Sequence, residues 1–173
     1  RKSRVAGAAN PRLGEVCHAA PDADTRGFVD DLRDYAGVAT RVTVAANLND
    51  SALRLSQLIN RASRAGRPDF AELSPNATRF LLEANRTQGL DLLNVRPEMM
   101  SGISERAHTF WYDDPWASSD VLLTLLLGLP PTERGLAPGT APSGAQYWSF
   151  PADYPDRLAA VLAAQRSNAP VVK

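Results

Sequence analysis

Each of the two histidines follows a glutamate by three residues, and this spacing is the strongest candidate for metal chemistry in the chain. The pairs are Glu15 with His18 and Glu105 with His108. Residues three apart on a helix lie on one face, so both side chains of a pair could bind one metal ion. Two pairs on facing helices, completed by further glutamates such as Glu83, would supply the carboxylate and imidazole ligands of a di-iron centre.

The surroundings of the first pair argue against such a centre. Gly14 and Pro21 flank it and leave no room for a long bundle helix, and no glutamate precedes Glu15 to bridge the metals. Short motifs of this kind also arise often by chance. We therefore expect neither a bound metal nor another cofactor, with His18 in a loop and His108 partly buried on a helix.

A second candidate is the segment 110–116, which brings four aromatic residues and two carboxylates together. Paired carboxylates among aromatic rings can bind sugars or perform acid–base chemistry, because burial raises one pKa while the neighbouring acid stays ionised. The simpler interpretation is a corner between helices, in which Asp113 or Asp114 caps the next helix and Trp111 and Trp116 are largely buried. We favour the corner and keep a binding site there as the alternative.

Two sets of basic side chains could contact an anionic partner. One lies in the first twelve residues, and the other forms a stripe on a predicted amphipathic helix. Four charges at the terminus support only a weak nucleic-acid contact, and the stripe lacks the interleaved aromatic rings of single-strand binders. We expect the stripe to be a solvated helix face. The residues are Arg1, Lys2, Arg4 and Arg12 at the terminus, and Arg54, Arg61 and Arg64 in the stripe.

The elements that would position these residues are predicted to be short helices. Residues 28–35 have helical spacing, and Ser74-Pro75 and Asp114-Pro115 each place a capping residue before a proline at the first helical position. Valines and threonines at 38–44 favour one short strand. The run 121–127 is apolar all round, which predicts a helix buried at the centre of the domain.

These elements together predict a mainly α fold. We expect one compact domain of five to seven short helices, with one short strand or extended segment, an N-terminal arm and a Pro/Gly-rich loop. The predicted organisation is a basic arm at 1–25, a helical core at 26–129, the Pro/Gly-rich loop at 130–152, and a C-terminal helix and tail at 153–173 packed on the core.

The composition of the chain excludes several classes of protein. The single cysteine, Cys17, excludes an internal disulfide and favours a virion or the cytoplasm over a disulfide-rich extracellular setting. The longest apolar run, 121–129, has nine residues, whereas a membrane-spanning helix needs about twenty. Nineteen basic residues balance nineteen acidic ones, so no overall field attracts nucleic acid. The sequence contains neither a nucleophile elbow nor a phosphate-binding loop.

Without a catalytic signature, the expected function is structural and the chain is expected not to be an enzyme. The prediction is a subunit of a larger assembly, for example a viral capsid or coat protein segment, which contacts protein partners or copies of itself. The basic arm, the proline-rich segment and a first residue other than methionine favour it. Two alternatives stay open: a secreted bacterial effector or binding protein, and a helical enzyme that uses a metal or paired carboxylates.

Overall fold

The fold is of the α/β class, with helices against both faces of a sheet. A computed structural model describes residues 13–46, 73–96, 110–141 and 143–168. Within these ranges the chain forms a five-stranded mixed sheet. The prediction of a mainly α domain with one strand is therefore wrong, and so is the all-α class.

The strands and helices alternate along most of the chain. The sheet contains β1 (Leu13–Ala19), β2 (Ala39–Ala46), β3 (Leu90–Asn94), β4 (Ala137–Thr140) and β5 (Gln146–Ser149). The described helices are α1 (Thr25–Tyr35), α2 (Pro75–Thr87), α3 (Phe110–Asp113), α4 (Pro115–Leu127) and α5 (Tyr154–Asn168), with a 3₁₀ turn at Pro131–Glu133.

The order of strands in the sheet is β1-β2-β3-β5-β4. β1, β2, β3 and β5 run parallel, and β4 pairs antiparallel with β5 at the far edge. In the register, Cys17 on β1 lies beside Thr43 on β2, which lies beside Asp91 on β3. These three residues therefore form a row across the sheet, and the carboxyl ends of the four parallel strands share one edge.

One face of the sheet packs against α1 and α2. Val42, Val44 and Leu90 from the strands meet Leu32 and Ala84 from the helices, and all five are more than nine-tenths buried. Successive strand residues point to opposite faces, so the positions between these valines point to the other side. This alternation decides which polar side chains of β1, β2 and β3 meet.

The opposite face packs against α3, α4 and the start of α5. Phe110, Ala117 and Tyr154 from these helices cover Ala45 and Leu93 from the strands. Burying apolar surface on both faces stabilises the sheet, at roughly 25 cal/mol for each Å² removed from water. Helix α4 packs across β1 on this side and directly follows α3.

Four of the five described strands lie where the sequence predicted none. β1 falls in the predicted arm, β3 in the predicted helical core, and β4 and β5 in the predicted Pro/Gly-rich loop. β1 and β3 are parallel strands covered on both faces, so they lack the polar–apolar alternation that marks a strand. β4 contains Pro138 and Gly139, which are rare in strands but tolerated at a sheet edge.

Several local predictions are confirmed. α1 includes residues 28–35, which were predicted to be helical, and β2 includes Val42 and Val44. Ser74 caps α2 by accepting a hydrogen bond from the backbone N–H of Ala77. The prediction that 121–127 is buried is wrong, because α4 packs through one side only and Leu126 on its outer side is 74% exposed. The amphipathic helix predicted to carry Arg54, Arg61 and Arg64 lies outside the described residues, and so does His108 with its predicted helical position.

The cap of α4 gives a stability prediction. The Oδ1 atom of Asp114 accepts hydrogen bonds from the N–H groups of Trp116 at 2.7 Å and Ala117 at 3.0 Å, and the residue is 2% exposed. Asp114→Ala should therefore lower the free energy of unfolding by about 1–2 kcal/mol in chemical denaturation. Asp113→Ala removes the neighbouring exposed carboxylate and should change it by less than about 0.5 kcal/mol. Equal effects of the two substitutions would contradict the assignment of the cap.

Candidate functional site

Polar side chains cross the sheet on the face that α4 covers. Nε of Arg41 lies 3.4 Å from Oε2 of Glu15, and its Nη1 lies 3.2 Å from Oδ2 of Asp91. One arginine thus links two carboxylates on the strands either side of it. Burial nevertheless raises the pKa of Asp91, against the lowering effect of Arg41.

A second, fully buried ion pair joins α4 to the segment after it. Nη1 of Arg134 donates a hydrogen bond to Oδ2 of Asp120 at 3.0 Å and also contacts the hydroxyl of Thr124. Arg134 is 0% exposed and Asp120 is 2% exposed. Thr124 lies one turn after Asp120, so two residues of one helix face bind the same guanidinium group. This pair ties the inner side of α4 to the segment that follows the 3₁₀ turn.

The burial of this region changes the acidity of its groups. Burial raises the pKa of Asp120 to about 6, although the charge of Arg134 opposes the shift. Burial and the charge of Asp120 raise the pKa of Cys17 to about 11. A thiol with that pKa is almost entirely protonated at neutral pH and is a poor nucleophile. The arrangement therefore favours a structural role for Cys17.

The proposed Glu15–His18 pair is divided between the two faces of β1. Glu15 meets Arg41 on the α4 side, whereas His18 meets α1 on the other side. Nε2 of His18 and the hydroxyl of Tyr35 lie 2.5 Å apart and share a hydrogen bond, and the ring of Phe28 stacks edge-on at 5.1 Å. Burial lowers the pKa of His18, which favours the neutral ring. Residues three apart on a strand cannot bind one ion together.

The remaining metal candidates do not join this pair. Glu83 is exposed on α2, and Glu105 and His108 lie outside the described residues. Among the residues that the structure describes, no group of three or more His, Cys, Asp or Glu side chains is placed to hold a metal ion.

The aromatic corner is only partly as predicted. Asp114 caps α4, which confirms one half of the prediction, but Trp111 is 42% exposed and stacks edge-on against exposed Tyr112. Trp116 is half-buried against Phe150 and Tyr154. The prediction that Trp111 is buried is wrong, because the short helix α3 turns it outward. Asp113 is exposed, so the two carboxylates do not share one environment.

The terminal and stripe residues lie outside the described part of the chain: Arg1, Lys2, Arg4, Arg12, Arg54, Arg61 and Arg64.

The carboxyl edge of the parallel strands is where open α/β sheets usually bind ligands. α1 begins there directly after β1, and α2 begins at the same edge because it ends just before β3. A cavity of about 410 Å³ lies between the first turns of these helices. Its lining includes Arg26, Asp30, Leu73, Ser74 and Ala77. Arginine and aspartate carry opposite charges, so the lining selects no class of ligand by charge.

The most exposed apolar surface among the described residues belongs to α4. Leu122, Leu125 and Leu126 are 55%, 47% and 74% exposed, and Leu127 beside them is 48% exposed. The first three lie at positions i, i+3 and i+4, so they form one continuous face of the helix. We call Leu122, Leu125, Leu126 and Leu127 the leucine face.

Sequence reasoning missed the buried polar residues and the leucine face. Arg134 lies in a segment of prolines and glycines that gives no sign of burial, and Asp120 looks like any polar residue of a helix. Their burial shows only in the folded chain, where Arg134 packs against the inner side of α4. The leucines of 122–127, which only Thr124 interrupts, are visible in the sequence, but their exposure depends on which side of α4 meets the sheet.

Comparison with known protein families, with curated proteins and with solved structures gave no match to this chain. Within the described residues, no helix combines the length and apolar character needed to cross a membrane. The α/β fold overturns the all-α class, and nothing in the described residues supports the predicted capsid or virion role. That role is withdrawn.

Asp120 offers a test of whether burial or the ion pair dominates its acidity. The pKa of Asp120 is about 6 in the fold, against an ordinary 3.8, so the protonated carboxyl group stabilises the fold more than the ionised one does. Its contribution to stability is present below its ordinary pKa and is lost as the pH rises through about 6. The substitution Asp120→Asn removes this dependence of stability on pH. The free energy of unfolding of the variant, minus that of the wild type, should therefore rise between about pH 4 and pH 7.

Chemical denaturation across this pH range measures that difference, with Asp113→Asn, which changes an exposed carboxyl group, as the matched control. A relative stability that falls with rising pH would show that Arg134 holds the pKa of Asp120 below its ordinary value.

Proposed function

We propose that this chain is a protein-interaction module that associates with a second copy of itself through the leucine face of α4. The observation that carries the proposal is the exposure of these four leucines on one helix. Soluble monomers seldom expose a large contiguous apolar patch, and the largest patch of a typical monomer, about 300–600 Å², is often functional.

The leucine face is presented by a helix that is fixed at both ends and along its inner side. Asp114 caps the start of α4, and Gly128 ends it in a left-handed conformation with φ of 61°. Asp120 and Thr124 bind Arg134 on the inner side. A helix held in this way loses little conformational freedom on binding, which is the condition under which a small patch gives useful affinity.

A second copy is the partner that the charge of α4 fits best. A two-fold interface places the same surface on both sides, so a charged face would meet its own charge. The single ionisable side chain of α4 is Asp120, which points inward and is 2% exposed. The outer side is therefore neutral and apolar, and two copies can pair without repulsion.

The leucine face alone is too small for a stable interface, so residues next to α4 must contribute to the contact. A stable interface buries about 800 Å² on each partner, which is more than four partly exposed leucines provide. Trp111 and Tyr112 on α3 are 42% and 56% exposed and directly precede α4 in the chain. Tryptophan and tyrosine are enriched at protein interfaces and often dominate their affinity. They are the residues that would extend the contact.

The test is the mass of the protein in solution, measured by light scattering across a dilution series. We expect the wild type to reach twice the mass of the chain and Leu126→Glu to stay at the mass of one chain. Leu126 is 74% exposed in the single chain, so the substitution should not unfold it, and the two melting temperatures should agree at concentrations where both proteins are monomeric. Val38→Glu is the matched control, since Val38 is 41% exposed in the turn before β2.

Three results would contradict self-association through this face. The first is a wild type that is monomeric at every concentration, and the second is a dimer that Leu126→Glu leaves intact. The third is a dimer that Val38→Glu disrupts equally. Binding of monomeric wild type to phosphatidylcholine vesicles, lost in Leu126→Glu, would assign the leucine face to a membrane surface instead.

A further inference from the structure

Behind α4, on the side away from the leucine face, lies a group of buried polar side chains from four parts of the chain. Thr43 comes from β2, Asp120 from α4, Arg134 from the segment after the 3₁₀ turn, and Tyr154 from the start of α5. Each is at most 2% exposed. We call these four residues the polar cluster.

The polar cluster contains more hydrogen-bonding atoms than its own contacts satisfy. Nη1 of Arg134 is occupied by Asp120 and Thr124. Nε and Nη2 of Arg134, Oδ1 of Asp120, the hydroxyl of Tyr154 and the hydroxyl of Thr43 have no hydrogen-bond partner among the described residues. Leaving a buried donor or acceptor unpaired costs about 1–3 kcal/mol, and more for a charged group. Five unpaired atoms in one buried cluster indicate a bound polar molecule.

These atoms lie close together. The ring of Tyr154 packs beside Gly135, the residue after Arg134, and Tyr154 also packs in one core cluster with Ala45, which points to the same side of β2 as Thr43. The charges of Asp120 and Arg134 both act on the Tyr154 hydroxyl and on the thiol of Cys17, which lies beside Thr43 in the register of the sheet. Burial raises the pKa of Tyr154, so its hydroxyl keeps its proton. The cluster therefore offers a planar pair of N–H donors, two hydroxyl groups that can donate or accept, and one carboxylate acceptor.

We propose that the polar cluster is a binding site for ordered internal water, which bridges the Nε and Nη2 atoms of Arg134 to Asp120 and to the hydroxyls of Tyr154 and Thr43. Water fits better than an ion because the charges of Arg134 and Asp120 already compensate each other. A buried water molecule needs two to four polar partners, and this site provides donors and acceptors at once. The inner side of α4 is then joined to the sheet through water.

Relaxation dispersion of the oxygen-17 signal of water measures long-lived internal water directly. We expect a dispersion for the wild type, with a smaller amplitude in Thr43→Val and in Tyr154→Phe. Each substitution removes a hydroxyl and little else, so the fold should persist, and a thermal melt checks this. Thr140→Val on β4 and Tyr112→Phe on α3 are the matched controls, since both residues are exposed, and they should keep the wild-type amplitude.

A crystal structure of the wild type, soaked in bromide, identifies the bound species. Water oxygen atoms within hydrogen-bond distance of Nε and Nη2 of Arg134 would support the proposal. Bromide at that position would overturn it in favour of an anion site. Direct contact of both nitrogens with protein oxygen atoms would overturn it as well, as would a dispersion that neither hydroxyl substitution changes. None of these results depends on whether the leucine face forms a dimer.

Discussion

The buried pair of Asp120 and Arg134 is the interaction on which the arrangement of α4 depends. Two charges removed from water are costly, and the attraction between them offsets that cost only when their geometry is good and further hydrogen bonds are made. Thr124 supplies one such contact, and the proposed water would supply more. Removing one partner of a buried pair typically costs about 3–5 kcal/mol, because the other charge stays buried and unpaired. An arrangement of α4 in which Asp120 and Arg134 do not meet is therefore disfavoured.

Helix α4 departs from the usual pattern of a surface helix. Its inner side combines the apolar Ala117 and Leu123 with the polar Asp120 and Thr124, and its outer side carries leucines. A surface helix normally buries its apolar stripe and solvates its charges. The exposed leucines are explained if the outer side is buried in an assembly, because both sides of α4 are then removed from water. The polar contacts on the inner side would then hold α4 in place, while the leucines on its outer side bind the second copy.

The rest of the fold follows the general plan of open α/β sheets, which host many unrelated functions. Its carboxyl edge carries a cavity between α1 and α2, and Ala20 directly after β1 adopts an uncommon left-handed conformation with φ of 46°. His18 on the α1 side is hydrogen-bonded to Tyr35, and burial lowers its pKa, which favours the neutral ring. The features that distinguish this chain from the general plan lie on the α4 side.

The sequence by itself determined the local elements whose signals are local. Ser74 and Asp114 cap their helices because each can reach backbone N–H groups two or three residues ahead, and β2 follows from its β-branched residues. Only the tertiary structure decided the sheet, because β1 and β3 gain their stability from neighbours distant in the chain and carry no alternating pattern. It also decided the site. Glu15 and His18 point to opposite faces because the segment is a strand, while Asp120 and Arg134 meet because the chain turns back after α4, at Gly128 and the 3₁₀ turn. Spacing along a chain predicts contacts only when the type of element is known, and here that type is fixed by long-range pairing.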